Sequence, residues 1–182
     1  MTLEELALQG RPSIYTSMAA SISGKLLDIR KSIIKDSLSK FDHAEHRLEF
    51  VASIRGIEFI NDSRATNVNS AWYAMESLNK PIIWIAGGLD KDNDYSILQG
   101  LVQNKVKALI CLGKDTSKLR SAFPGLENSI VETSSIQEAV KTAYSIARRH
   151  DVVLFSPACP SFDLFEDYED RGRQFKKAVK ML

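Results

Sequence analysis

Residues 82–94, IIWIAGGLDKDND, carry the pattern that decides the fold of this chain. The first five residues are all apolar, and they lead directly into a glycine pair and a run of charges. A strand with one face in water alternates apolar and polar residues, whereas a strand covered on both faces is apolar throughout. The segment VVLF (152–155) has the same character. Both segments therefore predict strands of a sheet that is covered on both faces.

Strand-like and helical patterns alternate around these two segments. Short β-rich runs at 48–54 and 57–60, separated by Arg55-Gly56, predict a hairpin. Beyond it we expect strands near 82–86, 106–112, 129–133 and 151–155, and helices near 67–78, 95–104, 115–121, 135–148 and 166–180. Since helices that alternate with strands connect parallel neighbours, the pattern predicts an α/β domain with a doubly wound, mostly parallel, Rossmann-like sheet.

Residues 14–41 precede this pattern and contain no predicted strand. Small and apolar residues at three- and four-residue spacing predict helices there, with a break near Asp28. Two helices without a sheet would expose an apolar face, so they either belong to a larger domain or pack onto the remainder. We expect a boundary after residue 41, with a short helical segment at 1–41 and the α/β domain at 42–182.

The composition excludes several classes of protein. The chain has 182 residues, 44% of them apolar, and a formal net charge of +1, as in an ordinary globular protein. Balanced charge argues against a nucleic-acid-binding surface, and the apolar runs are too short to span a membrane. The start MTLEELALQG lacks the basic region of a signal peptide, and Cys111 and Cys159 form no CxxC motif. We therefore expect a cytoplasmic protein with free thiols and no nucleic-acid or membrane partner.

Three polar clusters follow three of the predicted strands. They are NDSRATN (61–67), GGLDKDND (87–94) and SPACPSFD (156–163). Open α/β sheets bind ligands beyond the carboxyl ends of their strands, and the helix that follows each cluster offers backbone N–H groups to anions. We therefore expect one ligand site that is formed jointly by these clusters.

Each cluster taken alone also has a simpler interpretation. Asp62-Ser63 and Thr66-Asn67 are common turn and capping residues, and Gly87-Gly88 is compatible with a plain turn. Lys91 in a run of charges is compatible with a solvated side chain, and Cys159 with a packed thiol. Three clusters at one sheet edge are harder to explain in this way. The sequence has no G-x-x-x-x-G-K-[ST] phosphate-binding loop, no zinc-ligand spacing and no Ser/His/Asp arrangement.

The motifs together resemble a known family. HRLE (46–49), NDSRATN, GGLDK (87–91) and SPACPSFDLFEDYEDRG (156–172) are similar, in this order and spacing, to the C-terminal domain of the Mur ligases that add D-glutamate. GRPSIYTSMAASI (10–22) is similar to the last helical stretch of the central ATPase domain in these ligases. The resemblance implies that residues 1–41 are a remnant of that domain. The phosphate-binding loop would then lie upstream, and the isolated chain would be inactive.

The resemblance also implies a reaction. D-glutamate would be joined to UDP-N-acetylmuramoyl-L-alanine for peptidoglycan synthesis, with ATP and Mg²⁺, through an acyl phosphate. The implied nucleotide-binding residues are Arg47, Asp62 and Arg64. The implied D-glutamate-binding residues are Thr66, Lys91, Ser161, Phe162 and Tyr168. No catalytic and no metal-binding residue is implied within this chain, because the upstream domain would bind most of the ATP and Mg²⁺. A monomer is expected.

This chain departs from the family pattern at a few positions. Arg64 replaces the usual lysine, Ser13 and Thr16 replace asparagines, and Pro160 replaces an alanine. Arginine preserves the charge but changes the reach and the donor geometry.

Two alternatives to this function stay open. Another Mur ligase or a folylpolyglutamate synthase would share the fold but select a different amino acid. A non-catalytic, doubly wound ligand-binding module would share the fold alone.

Overall fold

The computed structural model describes residues 11–39 and 45–182. The chain divides into two compact units, Met1–His43 and Ala44–Leu182. The boundary that we expect after residue 41 falls within residues 40–44, outside the described ranges, so it stays a prediction.

The first unit contains two helices, α1 (Arg11–Leu26) and α2 (Lys31–Ser39). They are separated near Asp28, whose φ of 56° is left-handed, so the predicted break in the helical pattern is confirmed. Large apolar side chains of this unit are exposed: Met18, Ile22, Leu26, Leu27, Ile29 and Ile33.

A six-stranded sheet forms the centre of the second unit. Its strands are β1 (Glu49–Ile54), β2 (Ile57–Asn61), β3 (Ile82–Ala86), β4 (Val106–Leu112), β5 (Ile130–Thr133) and β6 (Val152–Phe155). The order across the sheet is β1-β2-β6-β3-β4-β5. Only the β1–β2 pair is antiparallel, and the four other neighbouring pairs are parallel. The predicted doubly wound, mostly parallel sheet is confirmed.

The helices of this unit are α3 (Val68–Ser77), α4 (Gln99–Lys105), α5 (Ser117–Ser121), α6 (Ile136–Ile146) and α7 (Tyr168–Lys180). Three predicted helix starts were wrong. The helix predicted at 115–121 begins at residue 117. A 3₁₀ turn at Ser96–Leu98 replaces the start of the helix predicted at 95–104. The last helix begins at residue 168 instead of 166, because the Asp167 side chain accepts the N–H of Asp170 and caps it.

Apolar side chains cover both faces of the sheet. Trp84 packs with Met75 and Leu98 on one face, while Ile83 packs with Phe155 on the other. Every residue of β3 and β6 is fully buried, as their uniform apolar character predicts. The Trp84 indole N–H donates to the carbonyl of Ser156 at 2.8 Å, so the core fixes the point where a polar loop leaves the sheet.

The predicted hairpin is also confirmed. Arg55 and Gly56 connect β1 to β2 with φ values of 52° and 80°, the left-handed conformations that a tight two-residue turn requires. Within residues 11–39 and 45–182, no helix combines the length and the apolar character needed to cross a bilayer.

Candidate functional site

Three loops lie side by side at one edge of the sheet. Strands β2, β6 and β3 are parallel neighbours, so their carboxyl ends point the same way. The loops that leave them span 62–67, 156–167 and 87–95. The loop after β6 lies between the other two, because β6 pairs with both β2 and β3. The sheet therefore brings the three polar clusters together, as expected for ligand binding in open α/β folds.

Asp62 begins the loop after β2 and points into the protein. Its side chain is 5% exposed, its Oδ2 accepts from the Ser156 hydroxyl at 2.7 Å, and its Oδ1 accepts from the Leu48 N–H at 3.2 Å. Burial raises the pKa of this carboxyl to about 7, against the opposing effect of both hydrogen bonds and of the Arg47 charge. Asp62 therefore connects the β6 loop to the segment that carries Arg47.

Arg64 and Thr66 occupy the outer part of the same loop. Arg64 is exposed, and its Cζ lies 5.8 Å from the centre of the Tyr168 ring. This cation–π contact joins an expected nucleotide-binding residue to an expected D-glutamate-binding residue. Thr66 is half-buried and precedes Asn67, whose side chain accepts from Ser70 N and caps α3.

The loop after β3 packs against the loop after β6. Gly87 N–H donates to the carbonyl of Pro157 at 2.8 Å, and Leu89 N–H donates to that of Pro160 at 3.0 Å. Gly88 has a φ of 137°, and a Cβ there would collide with the carbonyl oxygen of Pro160. The glycine pair therefore serves close backbone packing, which the interpretation as a plain turn does not explain. Lys91 is exposed further along this loop.

Ser161 and Phe162 differ in exposure within the loop after β6. Ser161 is 2% exposed, and its carbonyl accepts from Phe165 N at 3.0 Å, whereas the neighbouring Phe162 side chain is 66% exposed. In the described part of the chain, no hydrogen bond or ion pair joins the side chains of Thr66, Lys91 and Ser161. The sheet brings these three described residues to one edge, but their side chains do not bond directly to one another.

Arg171 connects two of the loops and was not among the predicted site residues. The residue is 1% exposed, and its guanidinium donates to the Ser63 hydroxyl at 3.1 Å, the Ser63 carbonyl at 2.8 Å and the Cys159 carbonyl at 2.9 Å. Burial lowers the pKa of Arg171 to about 10, so it remains a cation at neutral pH. The feature of the sequence that could have identified Arg171 is its helical spacing from Phe175 and Val179, which places an arginine on the buried face of α7.

His46 is a second residue whose place in the site was missed. It is 2% exposed, and its Nδ1 lies 2.9 Å from the Asn61 side-chain nitrogen. Because that amide nitrogen can only donate, Nδ1 accepts and the ring is neutral. Burial lowers the pKa of His46, which agrees with this assignment. The ring lies directly over Gly172 of α7, where a Cβ would overlap the imidazole.

One group of side chains has the spacing of a cation site. Ligand atoms of Glu45, His46 and Glu49 lie within 4.8 Å of one another. The Lys176 ammonium already bridges the two carboxylates, at 2.6 Å from Glu45 and 2.9 Å from Glu49. Since a protein cation neutralises this group, we assign no metal to it.

Comparison with known proteins identifies the family. The model of the "Mur ligase, glutamate ligase domain" family matches residues 46–159, more than half of the chain. A UDP-N-acetylmuramoylalanine–D-glutamate ligase of Christiangramia forsetii is 53% identical over the whole chain, which spans 41% of that protein. A ligase of the same name from Porphyromonas gingivalis is 49% identical over 98% of this chain and 40% of its own length. The chain thus spans about two-fifths of these relatives.

Solved structures share the fold at lower identity. A pseudomurein peptide ligase type C from Methanothermus fervidus superposes with a TM-score of 0.73 and 17% identity over 94% of this chain and 36% of its own. A bifunctional folylpolyglutamate synthase/dihydrofolate synthase from Yersinia pestis gives 0.65 and 16% over 96% of this chain and 40% of its own. At such identities the superpositions establish the fold alone. The family match establishes more: this chain belongs to the Mur ligase family and contains its glutamate ligase domain.

Proposed function

We propose that this chain is the C-terminal part of an ATP-dependent ligase that adds D-glutamate to UDP-N-acetylmuramoyl-L-alanine in peptidoglycan synthesis. The observation that carries the proposal is the 53% identity, over all 182 residues, to a ligase named for this reaction. The chain spans 41% of that relative, so the remaining residues of the parent protein would complete the active site. Residues 1–41 would belong to the central ATPase domain, and residues 42–182 would form the amino-acid-accepting domain.

The proposed acceptor pocket uses residues from all three loops. D-glutamate carries two carboxylates, and each needs a cation or strong neutral donors once water is excluded. The exposed ammonium of Lys91 offers the cation, and the hydroxyls of Thr66 and Ser161 offer neutral donors. The Phe162 and Tyr168 rings would border the pocket. Holding the amine at the activated carboxylate of the precursor, with water excluded, would favour amide formation over hydrolysis.

The proposed nucleotide-binding residues differ in how well their surroundings suit contact with ATP. When bound, ATP supplies the phosphoryl group that activates the alanine carboxylate, and Mg²⁺ offsets the phosphate charge. The exposed guanidinium groups of Arg47 and Arg64 suit phosphate or an adenine face. Asp62 suits a ribose contact less well, because its carboxyl is buried and already accepts two hydrogen bonds. Its share in nucleotide binding rests on the family resemblance.

The proposal extends to the setting of the enzyme. We infer that the parent ligase is cytoplasmic, since its nucleotide-linked precursor and ATP are cytoplasmic metabolites, and we expect it to be a monomer. The 182-residue chain by itself should neither hydrolyse ATP nor form product, because it contains no phosphate-binding loop.

The test is an assay of the full-length parent ligase. ADP release and product mass would be measured with ATP, Mg²⁺ and UDP-N-acetylmuramoyl-L-alanine, with D-glutamate, L-glutamate or L-alanine offered separately. A parallel reaction would offer a folate and L-glutamate in place of this precursor. Product formation with D-glutamate, and with neither of the other two amino acids, supports the proposal. Preference for another amino acid would favour another Mur ligase, while product only from a folate and L-glutamate would favour a folylpolyglutamate synthase. A full-length protein with no turnover on any of these would favour the ligand-binding module.

A further inference from the structure

We propose that Tyr95 is a positioning residue for the amino acid acceptor: its buried hydroxyl holds the Lys91 turn against the Ser161 loop and so sets which length of dicarboxylate the pocket accepts. This inference rests on the proposed function, because it concerns the same pocket. Tyr95 itself lies outside the set of residues implied by the family resemblance.

The Tyr95 hydroxyl first fixes the turn that contains Lys91. It donates to Oδ2 of Asp90 at 2.7 Å, while Oδ1 of the same carboxylate accepts the backbone N–H of Asn93 at 3.0 Å. The Asp90–Asn93 bond closes a turn around Lys91 and Asp92, and Asp92 has a left-handed φ of 57°. The Tyr95 hydroxyl, with the Lys118 ammonium 3.5 Å from Oδ1, therefore holds the Asp90 side chain that shapes the backbone at Lys91.

The same group reaches the neighbouring loop. The Tyr95 oxygen lies 3.2 Å from Sγ of Cys159, two residues before Ser161. Asn93 adds a second connection, since its amide nitrogen donates to the Tyr95 oxygen at 3.3 Å and to the Ala158 carbonyl at 3.2 Å. The two loops that carry Lys91 and Ser161 are thus joined through the side chains of Asn93 and Tyr95 as well as through backbone at Gly87 and Leu89.

The Tyr95 hydroxyl and the Tyr95 ring have different roles. The residue is 3% exposed, and its ring packs against Phe123 at a centroid distance of 6.1 Å. Phenylalanine would fill this space equally well, so core packing requires the ring and not the oxygen. Burial, with the neighbouring Cys159 thiol, raises the pKa of Tyr95, which keeps the hydroxyl protonated as a donor. The polar atom is present for the connection between the loops.

This connection affects specificity, because the distance between Lys91 and Ser161 must match the distance between the two carboxylates of the acceptor. Lys91 and Ser161 would hold acceptor carboxylates from two sides, and the carboxylates of D-glutamate are one methylene further apart than those of D-aspartate. If the two loops could shift relative to each other, the pocket would fit D-glutamate less well and reject D-aspartate less strongly. The expected nucleotide-binding residues Asp62 and Arg64 lie on the loop after β2, which the Tyr95 and Asn93 bonds do not reach, so ATP binding should be little affected.

The experiment compares Tyr95→Phe with the wild type in the full-length ligase. We expect the D-glutamate KM to rise about fivefold to tenfold, the effect of losing one or two hydrogen bonds. The ATP KM should change by less than about twofold, and the kcat/KM preference for D-glutamate over D-aspartate should fall about fivefold. Asn93→Ala, which removes the second connection, should shift the same ratios, and the double variant should show less than the summed effect.

Tyr144→Phe is the matched control. It removes a hydroxyl from a half-buried tyrosine that packs on the opposite face of the sheet, so both KM values and the preference should match the wild type. An unchanged preference and D-glutamate KM in Tyr95→Phe would overturn the inference, as would a parallel rise in both KM values, which indicates general loss of structure. A wild-type enzyme that does not use D-glutamate would remove the proposed function and this inference together.

Discussion

The Ser156 hydroxyl donates a 2.7 Å hydrogen bond to Oδ2 of Asp62 and so joins the first residue beyond β6 to the first residue beyond β2. The carboxyl lies at the base of the proposed site, where burial raises its pKa from the ordinary 3.8 to about 7. A group with this pKa is partly protonated near neutrality. Its protonation therefore affects both the stability of the fold and the charge next to Arg47.

Asp62→Asn should change how stability depends on pH. The folded chain keeps the Asp62 proton up to about pH 7, whereas the unfolded chain loses it near 3.8, so this contribution is fully present below 3.8 and lost as pH rises through 7. Asparagine preserves both contacts without a charge, since its oxygen can accept from Leu48 N and its amide can donate to Ser156. At pH 8 the free energy of unfolding of the variant should exceed that of the wild type by about 4 kcal/mol, and at pH 4 the two should differ little.

Urea unfolding followed by circular dichroism between pH 4 and 8 measures this effect. His46 contributes in the opposite sense: its pKa is lowered, so its contribution is lost as pH falls below about 6.5. Because His46 is present in both proteins, the difference between variant and wild type isolates Asp62. Parallel pH profiles for the two proteins would show that folding does not raise the pKa of the Asp62 carboxyl.

Lys91→Ala tests the cation of the proposed acceptor pocket. A charge-assisted contact to a carboxylate contributes about 1.5–3 kcal/mol, so the D-glutamate KM of the full-length ligase should rise by about one to two orders of magnitude. The ATP KM should change much less. Lys80→Ala is the control, because Lys80 is a half-exposed lysine that pairs with Glu58 near the amino end of β3. If the two constants rise together, or neither moves, Lys91 does not bind the acceptor.

Gly88→Ala tests the close packing of two loops. The added Cβ would collide with the carbonyl oxygen of Pro160, and the φ of 137° is strained for any other residue, so we expect a loss of at least about 2 kcal/mol in unfolding free energy. Gly100→Ala in α4 meets open space and should stabilise the chain by up to about 1 kcal/mol. Chemical denaturation compares the two. A mild effect at Gly88 would mean that the loops separate easily.

Local patterns in the sequence were sufficient to predict most of the fold. The uniform apolar character of residues 82–86 and 152–155 reflects burial on both faces, and the Arg55-Gly56 pair reflects a tight turn. Each of these properties is encoded within a few consecutive residues. The predicted start of the helix at 95–104 was wrong. Tyr95 is buried by residues distant in sequence, and a 3₁₀ turn at Ser96–Leu98 precedes the helix, so a local pattern could not place the start.

The site was predictable only in part. Its place at the carboxyl edge follows from the strand pattern, which is why three loops could be named in advance. The connections between them depend on side chains distant in sequence: Arg171 binds Ser63 across 108 positions, and Tyr95 contacts Cys159 across 64. Such pairs leave no periodic signal. The burial of Asp62 was missed for the same reason, since a residue after a strand can point to solvent or inward.

The contact between His46 and Gly172 gives the sharpest test of the packing around the proposed site. Alanine is normally favoured over glycine within a helix by about 1 kcal/mol. At position 172 of α7 the new Cβ would instead overlap the imidazole of His46, with ring atoms Cγ and Cε1 each 2.8 Å away. Gly172→Ala should therefore destabilise the chain, although it improves helix propensity.

Removing the ring should reverse the sign of that effect. His46→Ala loses the Asn61 contact and is expected to be destabilising alone. In that background Gly172→Ala meets space where the ring was, so it should be neutral or stabilising. The double-mutant cycle, from urea unfolding of all four proteins, should give a coupling free energy of about 2–3 kcal/mol. Additive effects would mean that the ring and helix α7 do not touch. Tyr168 and Arg171, on the first turn of that helix, would then be held in place without His46.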